Sequence, residues 1–311
     1  MSRATTPERS LSALPVGTLA SGQLAEVVVH RLVGSSSGTS LGLVGGLHGD
    51  EPFSVEIVAH LLDRLAELPL AGSITAVPCA SPLALQSLTR NTPVDQLDLN
   101  RVFPGDPDGS FSQQLAAVIF GVFAGTCEYL LDFHSGGIFP TVDYVFAQRD
   151  VDFARAVATK VLYHGVPHAG SISDRLQETG VHTAVVEVGG GYADASRYLE
   201  RAFERVCNAL RHIGMLEGRP KPAAEPIEVT ALSVLRPHHG GLLTSSIRVA
   251  ALGELVPGGE TLGRVLHPQT LRELEVLRAP FERSVLILAR EQTTPIGIGD
   301  FAYILGDAGA P

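Results

Sequence analysis

The sequence predicts an α/β domain followed by a smaller all-β unit, and three observations carry that reading. Short apolar runs suited to buried strands alternate with helix-periodic segments over the first two thirds of the chain. Three of those runs end in a polar, glycine-rich turn: residues 41–47 before His48, 129–133 before His134, and 183–186 before Glu187. Composition then shifts at 217–228, EGRPKPAAEPIE, where prolines and charges break the pattern, and the remainder is β-rich. We therefore divide the chain into 1–218 and 229–311.

In order, residues 1–15 are expected to be a loose leader and 24–33 (LAEVVVHRLV) a strand. GSSSG at 34–38 matches the G-x-S-x-G nucleophile elbow with Ser36 at its centre, but an elbow runs from strand into helix, and this one runs into another strand. A hairpin loop is the expectation, which disfavours a serine hydrolase.

The next stretch, LGLVGGLHGDEP at 41–52, turns a buried strand into a polar cluster. His48 falls at the strand's C-terminal end, where ligands bind in open α/β sheets. Asp50 is the expected N-cap and Pro52 an early helical residue of an amphipathic helix over 53–68, which puts Glu51 at the turn. An imidazole and a carboxylate three residues apart can share one cation, since Zn²⁺ accepts both donor types. Glu51 could equally serve only the helix N-terminus.

Residues 73–77 read as a strand, and 90–110 (RNTPVDQLDLNRVFPGDPDGS) as a long loop. That loop carries Arg90, Asn100 and Arg101, the donors suited to a carboxylate or a developing oxyanion. Helical spacing returns at 111–124, and the strand at 129–133 delivers His134 as the earlier one delivered His48. Residues 153–159 are expected to be helical. The stretch 164–178 is uninformative, although His164, His168 and His182 could line a site. Glu187 follows three apolar β-formers, and a buried carboxylate there needs a cation, a metal-associated water or a hydrogen-bond donor. A closing helix is expected at 195–216. In the β-rich remainder, His238 and His239 are adjacent and belong to a loop, because neighbours on a strand face opposite ways.

Composition bounds the function. With 311 residues, 45% hydrophobic and 18% charged, the chain has the makeup of a globular protein. A net charge of −10 disfavours nucleic acid as a partner. Only two lysines, Lys160 and Lys221, are present, and neither sits in a glycine-rich phosphate loop. Cys79, Cys127 and Cys207 match no disulfide or CxxC framework. No signal-like or membrane-spanning run is evident, so a cytoplasmic protein is expected.

Four ordered motifs, HGDE at 48–51, DLNRVFPG at 98–105, DFHSGG at 132–137 and VEVGGG at 186–191, together with RPHHGG and LGELVPGGETLG in the tail, resemble the succinylglutamate desuccinylase/aspartoacylase family of zinc hydrolases. The resemblance covers most of the chain. It implies a three-layer α/β/α, zinc-carboxypeptidase-like domain with a mixed sheet and an appended β domain. It also implies one Zn²⁺ per chain on His48, Glu51 and His134, with Glu187 as general base, Arg90 stabilising the oxyanion, and Asn100 with Arg101 holding a substrate carboxylate. A substrate-contacting tyrosine is expected, with Tyr192 and Tyr163 the candidates. The implied reaction is hydrolysis of a small N-acyl amino acid, with no membrane partner and with homo-oligomerisation left open. A carboxypeptidase-type zinc peptidase and a non-catalytic metal-binding protein are the alternatives. The β domain is expected to narrow the entrance against peptides.

Overall fold

A computed structural model describes residues 6–190, 195–221, 225–290 and 293–309. The N-terminal stretch is a strand instead of a loose leader. β1 (Glu8–Thr18) forms a long antiparallel ladder with β2 (Leu24–Val33), pairing Glu8 with Val33 through to Thr18 with Leu24. Most of β1 is exposed, so its order comes from backbone hydrogen bonds more than from apolar burial. Pro15 is tolerated beside the register shift because β1 is an edge strand.

GSSSG is not a hairpin either. β3 (Ser36–Val44) is not paired with β2; β4 (Ala71–Val77) lies between them, antiparallel to β2 and parallel to β3. Gly34 permits this close crossing, since a Cβ there would lie 2.0 Å from the Leu70 carbonyl oxygen. Ser36 is exposed at the start of β3, far from any strand-to-helix elbow.

The remaining strands complete a nine-stranded mixed sheet. β5 (Tyr129–His134) runs parallel to β3, and β8 (His182–Glu187) runs parallel to β5. Beyond β8 lie β6 (Tyr144–Ala147), antiparallel to it, then β7 (Val161–Tyr163) and β9 (Ile227–Val229). The end of the proline-rich boundary stretch thus supplies an edge strand to the large sheet.

Helices cover both faces. α1 (Pro52–Leu65) buries Ile57, Val58, Leu61, Leu62 and Leu65, the stripe that its 3.6-residue period predicts. It packs with α4 (Val151–Ala156) and α6 (Ala195–His212) in one core. α2 (Pro82–Ser87) is a short turn after β4. α3 (Phe111–Phe123) and α5 (Ile172–Glu178) contribute to the second core, with Val27 and Val29 of β2. This is the expected α/β/α sandwich.

The C-terminal region forms two four-stranded antiparallel sheets. One is ordered β10 (Leu232–Leu235), β17 (Tyr303–Asp307), β15 (Arg283–Ala289), β12 (Leu255–Pro257). The other is ordered β14 (Glu273–Arg278), β13 (Thr261–Leu266), β11 (Gly241–Ser245), β16 (Thr293–Ile296). The buried Tyr303 ties them together, its hydroxyl donating to the Leu262 carbonyl at 2.8 Å. Val142, Tyr144 and Val161 of the large unit enter this core, and Val142 N donates to Ile287 O at 2.8 Å, so the two units share a packed seam. Among the described residues, no helix is long and apolar enough to cross a membrane.

Candidate active site

Parallel β3, β5 and β8 end side by side, which brings their polar C-terminal residues together. After β3 the chain turns through two glycines to His48, and Gly49 lies against α2, where a Cβ would come within 1.9 Å of Ala84 backbone. His134 ends β5, Glu187 ends β8, and the two are register partners. Side chains of such partners share a face, on strands roughly 4.8 Å apart.

The helix start differs from expectation. Glu51, not Asp50, is the N-cap residue of α1, with Pro52 in the first turn. Its carboxylate does not cap the helix. Oε1 lies 2.8 Å from His48 Nδ1 and Oε2 2.9 Å from His134 Nδ1, and Oε2 accepts the Ser135 N–H at 3.1 Å. Ser54 braces the turn, accepting from Gly46 N and donating to Glu51 O. All three side chains are buried, and one donor atom from each lies within 4.8 Å of the others.

The outer ring nitrogens meet two further carboxylates. Asp98 Oδ1 is 3.2 Å from His48 Nε2, and Asp132 Oδ1 is 3.2 Å from His134 Nε2. Asp132 is fully buried, and neither of its oxygens has a well-formed hydrogen bond, to His134 or to any other described residue. At His48 the acid on Nε2 keeps the proton there and turns the Nδ1 lone pair inward, the arrangement of metal-ligating histidines. Burial disfavours charge on His48, yet Glu51 and Asp98 hold its pKa above the usual value; for His134 the same penalty is outweighed by Asp132 and Glu51. Burial would raise Glu51, but His134 and His48 hold it well below the carboxylate range. Two imidazole nitrogens and an ionised carboxylate within reach of one point fit a divalent ion of the zinc type.

The Glu187 carboxylate makes no hydrogen bond among the described residues, and Glu187 lines the same cavity. Burial pushes its carboxyl up to about 7, with Glu51 adding to the rise against the pull of His134. Arg90 reaches the cluster from the long loop. Its Nε donates to Asp98 Oδ2 at 3.1 Å, while one terminal nitrogen lies 3.4 Å from His48 Nδ1 and 3.6 Å from Glu51 Oε1. The loop itself is anchored, since Asp95 accepts from Ser112 N and from the Thr92 and Ser112 hydroxyls. Asn100 is buried and uses both ends of its amide: Oδ1 accepts from Ile172 N at 3.0 Å, and Nδ2 lies 3.2 Å from His134 Nε2. Arg101 donates to the Asn100 carbonyl at 2.7 Å and, among the described residues, has no carboxylate within ion-pair distance.

The cavity measures about 90 Å³. Its far wall is Phe146, Gln148, Ser173 and Val185, and His168 also lines it. His164 and His182 lie elsewhere, paired with Glu228 and Asp150 at 2.8 Å each. Tyr163 packs on Phe146 and is absent from the lining; Tyr192 lies outside the described residues. The described lining residues all fall between 48 and 187, so here the walls come from loops and strands of the large unit, not from the β domain. A larger cleft of about 470 Å³ beside β1, β2 and α3 is mainly apolar and carries no such cluster.

Asp132 and Gln148 escaped the sequence reading, and Asp98 entered it only as part of the DLNRVFPG motif. Asp132 had a signal, an acid inside the apolar run YLLDF two residues before His134 and hence on its face of the strand.

Comparison with known proteins decides the family. Residues 37–213 match the sequence model of the succinylglutamate desuccinylase/aspartoacylase catalytic domain. The chain belongs to that family. An N-alpha-acetyl-L-2,4-diaminobutyric acid deacetylase from Halomonas elongata is 28% identical to it over 94% of this chain and 90% of its own. The structure of an aspartoacylase family protein from Mesorhizobium loti superposes with a TM-score of 0.81 at 26% identity, covering 99% of this chain and 97% of that one. A succinylglutamate desuccinylase from a Silicibacter species gives 0.79 at 26% identity, covering 97% and 95%. The α/β/α layering and appended β sheets are therefore those of the family.

Proposed function

We propose that the chain hydrolyses the amide bond of a small N-acyl amino acid, with Zn²⁺ held by His48, Glu51 and His134 and with Glu187 as general base. The observation that carries this reading is the buried His48–Glu51–His134 cluster with Glu187 on the adjoining strand end. Family membership and the likeness to an N-acetyl amino-acid deacetylase support amide hydrolysis.

A bound zinc ion supplies Lewis-acid polarisation of the scissile carbonyl and activation of water. Glu187 takes a proton from the attacking water and returns it to the leaving nitrogen, a task suited to a carboxyl with pKa near neutrality. Arg90 offers an N–H to the oxygen on which charge develops. Arg101, with no carboxylate partner of its own, grips the substrate carboxylate, and Asn100 holds His134 and the start of α5 in register beside it.

The cavity is small, about 90 Å³, which favours an acyl amino acid over a peptide. Amine release from N-acetyl, N-succinyl and N-formyl amino acids beside short peptides tests this directly. Cleavage of peptides alone would replace the proposal with the carboxypeptidase reading.

Two variants probe the supporting residues. Arg101→Met should raise KM by roughly 10- to 100-fold with a smaller change in kcat, as expected for loss of a charge-assisted hydrogen bond. An unchanged KM would remove Arg101 from the substrate site. Asp98→Asn should weaken zinc binding by about 10- to 100-fold, read by competition with a chromophoric chelator, because the His48 outer nitrogen loses its acid.

A further inference from the structure

The far wall of the cavity contains a glutamine whose orientation is dictated from outside the site. Gln177 Oε1 accepts the Arg149 backbone N–H at 3.1 Å, and Gln177 Nε2 donates to the Ser173 carbonyl at 3.0 Å. Those backbone partners leave no ambiguity about which end of the Gln177 amide is nitrogen. The same Nε2 also meets the Gln148 side chain at 3.0 Å, so the Gln148 atom facing it must be the acceptor, Oε1. Both glutamines are buried, and Gln148 lines the cavity. Its Nε2 has no hydrogen-bond partner among the described residues and is not one of the fully enclosed polar atoms, so it is free to donate into the cavity that Gln148 lines.

We propose that Gln148 is a specificity-determining residue that reads the side chain of the amino-acid half of the substrate, selecting a hydrogen-bond-accepting oxygen over an ammonium group. The inference rests on the deacylase reading above and names its substrate class. Gln148 lies one residue beyond the Ala147–Ala184 register pair, while Glu187 pairs with Tyr144 at the other end of the same ladder. Four strand residues, about 13 Å, separate the two positions. Gln148 therefore addresses the remote end of a substrate and not the reacting atoms.

The amino-acid half belongs on this side because Arg101, the group proposed for its carboxylate, packs on the segment leading into α5. The Arg101 carbonyl would lie 2.3 Å from a Cβ at Gly170, and α5 then supplies Ser173 and Gln177. Phe146, Val185 and Ser173, the other residues of the far wall, are uncharged. Among the described residues the only lining carboxylates, Glu51 and Glu187, sit at the opposite end, so an ammonium side chain beside Gln148 meets a donor and no described acid. A site built to hydrogen-bond one substrate group discriminates strongly against an analogue that leaves the buried partner unpaired.

The test uses zinc-loaded full-length protein and three N-acetyl amino acids whose side chains end in an amide, a methyl group and an ammonium group: glutamine, norvaline and 2,4-diaminobutyrate. Wild type should show kcat/KM for N-acetylglutamine at least about tenfold above that for N-acetyl-2,4-diaminobutyrate. Gln148→Glu should reverse the order, and Gln148→Leu should bring norvaline level with glutamine. Gln177→Leu, which touches no substrate, should pull the glutamine-to-diaminobutyrate ratio toward one by freeing the amide to turn, leaving the norvaline value unchanged. A ratio that stays within twofold of wild type in Gln148→Glu and Gln148→Leu, or a wild-type preference for the ammonium substrate, overturns the proposal. Calorimetric binding of the three free amino acids to the same proteins separates the two readings. If nothing is hydrolysed but binding follows the order above and reverses in Gln148→Glu, the specificity assignment stands and the deacylase reading falls. If binding ignores Gln148, the assignment falls as well.

Discussion

Glu187→Gln should lower kcat by roughly a hundred- to ten-thousandfold while leaving zinc bound, the loss typical of removing a general base. The substitution keeps shape and hydrogen-bonding capacity but removes the proton acceptor at the end of β8. His48, Glu51 and His134 hold no contact that depends on it, since Glu51 is fixed by the two imidazoles and by Ser135 N. Zinc content by elemental analysis beside single-turnover kinetics decides the matter. Loss of metal in the variant would make Glu187 a ligand, and activity within tenfold of wild type would remove it from the reaction.

The same substitution should stabilise the metal-free protein. Burial, reinforced by the nearby Glu51 carboxylate, pushes the folded-state pKa of Glu187 up to about 7, above its unfolded value. Between those two values the folded protein holds a proton that the unfolded chain has lost, so stability falls as pH rises, and the loss is complete above the folded pKa. At pH 8 the glutamine variant should be more stable by about 1–3 kcal/mol, and at pH 4 the difference should vanish. Urea denaturation of both metal-free proteins at the two pH values measures it. Equal midpoints at pH 8 would mean that the carboxylate is well solvated.

Removing the metal should abolish turnover and cost the fold several degrees. Without a cation, Glu51 is shared between two buried imidazoles whose outer nitrogens press on Asp98 and Asp132, five acidic and basic groups crowded within ion-pair distance of one another. An ion that binds only the folded state stabilises it by mass action, about 4 kcal/mol at a thousandfold excess over Kd. For a protein of this size that corresponds to a Tm shift of roughly 6 °C. Dialysis against a chelator followed by stoichiometric zinc should remove and then restore both activity and Tm. His134→Ala should abolish the response to zinc. Undiminished turnover in protein stripped of metal would end the hydrolase mechanism argued above.

Much of this site was readable from local pattern. Apolar runs that end in His48, His134 and Glu187 predicted three strand ends, and parallel pairing of β3, β5 and β8 sets them side by side. Hydrophobic periodicity reports burial, a property each segment carries in itself, which is why α1, α3 and α6 and the two units of the chain were also legible. Pairing partners are not carried that way. That β4 separates β2 from β3, making GSSSG a crossing instead of a hairpin, depends on hydrogen bonds between segments far apart in sequence. The exposed face of β1 gave no burial signal, so its ladder with β2 was invisible to the same rule. The sequence alone determined which chemical groups stand at the strand ends. Only the tertiary structure decided where they point: Glu51 turned from its helix toward two histidines, Asp132 set behind one of them, and Gln148 oriented by a glutamine 29 residues away. Those orientations are set by directional hydrogen bonds to distant partners, a kind of information that neither composition nor periodicity contains.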